Sequence, residues 1–282
     1  MMNDTIKSHS TRIQSCFARL KQANQCAFSS FLTAGDPDYD SSLSMLQKLP
    51  EHGVDIIELG MPFTDPMADG PAIQASSLRA LAKGQNLQKT LDMVTAFRKT
   101  NDETPVILMG YFNPIYHYGV NEFLKAAKQA GVDGLIVVDL PPEEDEDLCL
   151  PAHEMGIDFI RLLTPTSDEK RLPKLLERAS GYLYYVSMAG ITGTREIDIE
   201  PVEQSLAFIR NHTDLPIAVG FGVKTPAHAA KLASIADAVV VGSSLVNIIE
   251  TALKQGVSQE TLTQNLLQEI KSLADATHNA NI

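Results

Sequence analysis

The chain has 282 residues, 44% of them hydrophobic, which suits one large or two ordinary domains with a sizeable core. Its formal net charge of −12 argues against a nucleic-acid partner, which needs clustered Lys and Arg, and has the wrong sign for an anionic membrane surface. Three cysteines (Cys16, Cys26 and Cys149) and seven scattered histidines point to neither a disulfide framework nor a metal site. The N-terminal MMNDTIKSHSTR lacks the apolar core of a secretory signal, and no run reaches ~18 apolar residues, so the cytoplasm is the expected compartment.

In chain order, TRIQSCFARLKQ reads as an extra helix capping the bottom of a barrel. Eight apolar runs follow: AFSSFLTAG (27–35), VDIIELG (54–60), PVILMGYF (105–112), GLIVVDLP (134–141), IDFIRLLTP (157–165), YLYYVSMAG (182–190), PIAVGFG (216–222) and DAVVVGSS (237–244). They are near-continuous, as strands covered on both faces are, and mostly about one βα unit apart. Helical patterns lie between them. SSLSMLQKLPEHG sets Leu43, Leu46 and Leu49 near one face and stops at Gly53. Helices starting at Pro71 and near Asn86 fill the longer gap after Gly60. NEFLKAAKQAG starts on an Asn cap and stops at Gly131, PPEEDEDLCLPAHEMG opens with prolines and acids, and TPAHAAKLASIA opens on Thr-Pro. QETLTQNLLQEIKSLADA makes a last outer helix. The alternation predicts an α/β fold, a single (β/α)8 TIM barrel over 1–282 with an extra N-terminal helix and additional helices in the βα loops. Residues 1–14 and 275–282 are expected to be flexible termini. A doubly wound sheet is the rival, but FLTAGDP is not the G-x-G-x-x-G expected after its first strand.

A TIM barrel places chemistry at the C-terminal ends of its strands. The acids there are Glu58 and Asp139, and no lysine ends a strand, since Lys224 lies beyond Gly222. A Schiff-base aldolase is therefore disfavoured. Glu58 either caps the next loop or, set against an apolar wall, has a raised pKa and serves as acid or base. Asp69, in ADGP, reads from pattern as a turn residue or helix cap before Pro71, and Asp139 as a helix entry. AGITGT (189–194), GFGVKTP (220–226) and VGSSLVN (241–247) end the last three runs in small residues. Each glycine alone suits an ordinary turn; the three together suit a phosphate-bearing ligand. GYFNPIYHYG lines a pocket or packs in the core.

ELGMPFTDPMADGPAIQ closely resembles the signature of the tryptophan synthase alpha subunit family, and FLTAGDP, MGYFNPIYHYG, DGLIVVDLPPEE, SMAGITGT and GFGV fall in that family's order and spacing, from about residue 15 to 270. The resemblance implies a TIM-barrel carbon–carbon lyase splitting indole-3-glycerol phosphate into indole and glyceraldehyde 3-phosphate. It implies no cofactor or metal in this chain, and an α2β2 complex with a beta subunit that carries pyridoxal phosphate. By motif, Glu58 is the catalytic acid/base and Asp69 the second catalytic acid. Phe31, Met109, Tyr111 and Tyr184 border the indole. Gly193, Gly222, Gly242 and Ser243 form the phosphate cradle, Thr192 lies on a closing loop, and Asp65 and Pro66 face the beta subunit. SMAGITG departs from many members, which carry Arg-Ser before the glycine, so Met188 and Ala189 bear on loop closure. Three other readings compete: a free-standing indole-releasing lyase, a sugar-phosphate epimerase or isomerase, and a non-catalytic barrel.

Overall fold

The computed structural model describes residues 11–186, 199–220 and 222–280. Helix α1 (Arg12–Ala23) precedes strand β1 (Ala27–Thr33). Helix α2 (Tyr39–Lys48) and a 3-10 turn (Pro50–His52) lead to β2 (Ile56–Gly60), and α3 (Pro71–Ala82) and α4 (Leu87–Arg98) lead to β3 (Val106–Gly110). Then come α5 (Phe112–Tyr118), α6 (Val120–Ala130), β4 (Gly134–Val137), α7 (Glu146–Glu154), β5 (Asp158–Phe159) and β6 (Arg161–Leu163). The last units are α8 (Leu172–Leu176), β7 (Leu183–Val186), α9 (Glu200–Arg210), β8 (Ile217–Gly220), α10 (Pro226–Ala233), β9 (Ala238–Val241), α11 (Ser243–Gln255) and α12 (Gln259–His278).

All the strand pairs are parallel, in the order β5-β4-β3-β2-β1-β9-β8-β7-β6. The fold is a TIM barrel. The fifth expected strand is split: β5 pairs with β4, β6 pairs with β7, and Ile160 makes the step between them. Among the described residues, the eight apolar runs thus fill eight barrel positions through nine short strands.

Two apolar layers explain why the runs do not alternate. Ile56, Ile107, Ile136, Ile160, Ala218, Ala238 and Val240 fill the lumen with Tyr182, while the other strand face packs under the helices in a larger cluster. Helix α1 plugs the bottom: Ile13, Cys16 and Leu20 join the lumen cluster, and the Phe17 ring lies 5.9 Å from that of Tyr182. Full burial of Ile13 and Leu20 stabilises this plug by roughly 1.5–3 kcal/mol each.

The N-terminal face is tied by acids just before strands. The carboxylates of Asp55, Asp133 and Asp237 accept the backbone N–H of Phe28 (3.0 Å), Val106 (2.8 Å) and Ile217 (2.8 Å) on the neighbouring strand. Arg19 and His278 add to Asp55, Arg12 and Arg98 to Asp133, and Arg210 to Asp237. Burial opposes the charge on Asp55, yet these hydrogen bonds hold its carboxyl below the usual range.

Some expectations change. Asn121 lies inside the first turn of α6, and Gly119 takes the cap position. The aromatic run after β3 forms a helix, α5. Asp139 caps that helix: its Oδ1 accepts the N–H of Phe112 at 2.8 Å. The expected loose termini are docked where they are described, with Ile13 and Thr277 buried and His278 Nε2 bonded to Asp55 Oδ2 at 2.6 Å.

Candidate active site

Strand β2 turns Ile56, Glu58 and Gly60 toward the lumen, in register with Phe31 and Ile107 beside Glu58. Glu58 is the third of the five residues of β2, one inward step below the strand end, and is 0% exposed. Its Oε1 accepts hydrogen bonds from Ser29 Oγ (3.2 Å) and Tyr182 OH (3.1 Å), while Oε2 is buried with no partner among the described residues. Burial pushes the carboxyl up to about 7, against the pull of Tyr182 and Ser29. Burial and the nearby Glu58 charge lift the phenols of Tyr182 and Tyr184 well above their ordinary value.

Above Glu58, Gly60 has no side chain and Phe31 uses the space: a Cβ on Gly60 would fall 2.6 Å from Phe31 Cζ. Phe31 and Gly60 form one wall of a narrow cleft whose other residues include Asp69, Ile73, Met109 and Tyr111. Its cavity volume is about 10 Å³, room for about one water, so a bicyclic ring must part these side chains to enter.

Asp69 reaches this cleft because its loop is stiff and anchored. Short turns close where Met67 N–H donates to Asp65 O (2.9 Å) and Asp69 N–H to Pro66 O (3.0 Å). The N–H of Met61 donates to Met109 O (2.8 Å), and that of Ala68 to Tyr111 OH (3.0 Å). The Tyr111 hydroxyl in turn donates to the Asp69 carboxylate. Burial raises Asp69 to about 6, with the Tyr111 hydrogen bond pulling the other way. Helix α3, which follows the loop, is pinned to the end of β1 by Thr33 Oγ1 with Ser76 Oγ (2.6 Å) and by Arg79 bound through two nitrogens to buried Asp36 (2.8 and 2.8 Å).

Across the lumen, Tyr184 packs its hydroxyl flat against Gly220, where a Cβ would clash with it. Gly222 has φ +78°, a left-handed backbone that only glycine adopts freely. Gly242 takes the cap position of α11, which begins with no side-chain cap, and Ser243 at its first turn is exposed. The first N–H groups of α11 thus face outward beside Gly242, the usual makings of an anion site. Gly242 also approaches the cleft wall: a Cβ there would lie 3.2 Å from Phe31 Cβ. Thr192, Gly193, Met188 and Ala189 lie outside the described residues. Asp65 is exposed, Pro66 half-buried and the neighbouring Met67 84% exposed.

The structure thus gathers Phe31, Asp69, Met109 and Tyr111 in one cleft, with Glu58 fully buried beside Phe31 and half-buried Tyr184 packed on Gly220 across the lumen. Pattern reading had not singled out Ser29 and Tyr182. The available signal was period two: Ser29 precedes Phe31, and Tyr182 precedes Tyr184, by one inward step. Among the described residues, no group of three or more His, Cys, Asp or Glu side chains is arranged to hold a metal. No described helix is long and apolar enough to cross a membrane.

The family model described as tryptophan synthase alpha chain matches residues 17–278. Among solved structures, the tryptophan synthase subunit alpha of Legionella pneumophila str. Paris superposes with a TM-score of 0.88 at 39% identity, covering 95% of this chain and 99% of that one. A chain from Aquifex aeolicus VF5 gives 0.86 at 35% identity over 95% and 100%. A chain of tryptophan synthase from M. tuberculosis, in an open form, gives 0.83 at 32% identity over 95% and 99%.

Proposed function

The chain belongs to the tryptophan synthase alpha chain family, a carbon–carbon lyase that cleaves indole-3-glycerol phosphate to indole and glyceraldehyde 3-phosphate in tryptophan biosynthesis; from that premise we propose that Glu58 and Asp69 carry the cleavage. The carrying observation is a pair of carboxyls, one in the middle of β2 facing the lumen and one on the loop after it, both held near neutrality by burial. Retro-aldol cleavage without an imine needs a proton delivered to the indole C3, so that the ring becomes an indolenine-like electron sink. It also needs the C3′ hydroxyl proton removed as the C–C bond breaks. A carboxyl near pH 7 does both in turn, which suits Glu58. An ionised Asp69 accepting the ring N–H stabilises the positive charge that grows there. With values of about 7 and about 6, protonated Glu58 and ionised Asp69 coexist best between those two pH values.

Phe31, Met109, Tyr111 and Tyr184 would border the indole ring. Gly222, Gly242 and Ser243, with the N-terminus of α11, would take the phosphate. Gly193 is proposed to join that phosphate cradle, and Thr192 to act on the closing loop. We propose that this chain works in the cytoplasm as one domain, without a cofactor of its own. Members of the family work with a beta subunit; for this chain we propose an α2β2 complex in which pyridoxal phosphate sits in the beta subunit. We propose that Asp65 and Pro66 make that contact, a reading supported by the exposed apolar Met67 beside them. The test is indole release from indole-3-glycerol phosphate, with and without a tryptophan synthase beta subunit. Release that rises strongly with the beta subunit supports the reading. Absence of release in both arms refutes the proposed residues and mechanism, and equal, high release in both refutes the complex.

A further inference from the structure

The neighbouring strand β1 and the residue just before β7, which is not a neighbour of β2, hold Glu58 through the same atom. Ser29 Oγ from β1 and the hydroxyl of Tyr182, just before β7, both bond Oε1, at 3.2 and 3.1 Å. Oε2 is buried and bonded to nothing among the described residues. Ser29 is 1% exposed and lies between Ala27 and Phe31 on the inward face of β1. A hydroxyl in such a place adds nothing to apolar packing and costs free energy unless it finds a partner. Its partner is the carboxylate.

We propose that Ser29 is a positioning residue for the cleavage reaction, fixing the Glu58 carboxyl by Oε1 so that the exchanging proton resides on Oε2. The inference rests on Glu58 being the acid/base argued above. An oxygen that already accepts two hydrogen bonds is a poor site for a proton, because protonation there displaces one donor. The neutral carboxyl therefore carries its proton on Oε2, the oxygen free to release it to carbon and to take one from a hydroxyl. In the ionised state the two donors offset part of the burial penalty, which keeps the group near neutral pH instead of higher.

The titratable side chains that feel Glu58 among the described residues are Tyr182 and Tyr184, both driven far into the neutral form. Phe31 and Ile107, in register with it, do not titrate. Ser29 is the more informative donor to remove, because the Tyr182 ring also packs against Phe17 of α1.

The experiment follows the Glu58 side-chain carbon by 13C NMR in the folded chain without substrate, with Glu58→Gln assigning the signal. In Ser29→Ala one donor is lost, the carboxylate is less favoured, and the titration midpoint rises by about one pH unit. The limb of the kcat profile set by Glu58 moves upward by the same amount while KM stays unchanged. Ser29→Thr and Ser29→Val add the same bulk and differ in the hydroxyl alone; Thr keeps the wild-type midpoint and Val shifts it. An unmoved midpoint in Ser29→Ala, or equal midpoints in the Thr and Val variants, overturns the proposal. A fully active Glu58→Gln would instead overturn the acid/base assignment on which it rests, so the two failures are told apart.

Discussion

Tyr111→Phe removes one oxygen and keeps the ring, and it separates the loop-anchoring role of this residue from its proposed place beside the indole. The hydroxyl accepts the Ala68 N–H at 3.0 Å and donates to Asp69. A net hydrogen bond is worth about 1 kcal/mol, and one to an ionised carboxylate about 1.5–3 kcal/mol. Two effects follow. The loop loses its tether near Asp69, and the Asp69 carboxyl, at about 6 in the wild type, rises because a donor to its ionised form is gone. A rise of roughly one unit takes the ionised fraction at pH 7 from about nine-tenths to about one-half. Loss of the tether adds a factor of about five, so kcat/KM at pH 7 falls roughly tenfold. The ionised form returns as pH climbs above the raised value, so part of the loss is recovered at about pH 8.5. The assay is steady-state indole release by both proteins from about pH 5.5 to 9. A loss of the same size at every pH, or no loss at all, would refute the coupling of Tyr111 to Asp69.

Asp69→Asn removes the anion proposed to face the ring nitrogen; turnover is expected to fall by about 100-fold or more, and a normal rate would return Asp69 to a turn residue. Gly222→Val forces a β-branched residue into φ +78°; isothermal titration with glycerol 3-phosphate should show weaker binding, and an unchanged affinity would place the anion site elsewhere. Replacing Arg161 and Arg178 together by leucine strands the fully buried Asp145, which the two arginines share, at a cost of roughly 3–5 kcal/mol. Thermal unfolding should show a Tm about 10 °C lower, and an unchanged Tm would show the buried pair to be dispensable.

The barrel was legible because its strands are buried on both faces, so continuous apolar runs such as VDIIELG and DAVVVGSS stand out from amphipathic helices. What failed was local. Pro114 and the aromatics around it disguised α5, and nothing in IDFIRLLTP shows that the chain steps at Ile160 from one neighbour strand to the other. Glu58 could be singled out as an acid inside an apolar run, which raises pKa wherever it folds. Its two donors could not, because they come from strands 29 and 124 residues away in sequence. Asp69 shows the same limit more sharply. On pattern it is a turn residue, and its raised pKa depends on a cleft completed by Tyr111, itself read only as a pocket or core aromatic. Family resemblance named both acids; the structure supplies the burial and hydrogen bonds that give them different proton affinities.

The central claim is that Glu58 moves the proton. Glu58→Gln keeps the shape and an acceptor for Ser29 and Tyr182 but has no titrating proton, so it should bind indole-3-glycerol phosphate within a few-fold of wild type and release indole roughly a thousandfold more slowly. Equilibrium binding and single-turnover release on the same preparation decide it. Indole release at a near-wild-type rate by a folded, substrate-binding Glu58→Gln chain would contradict the account.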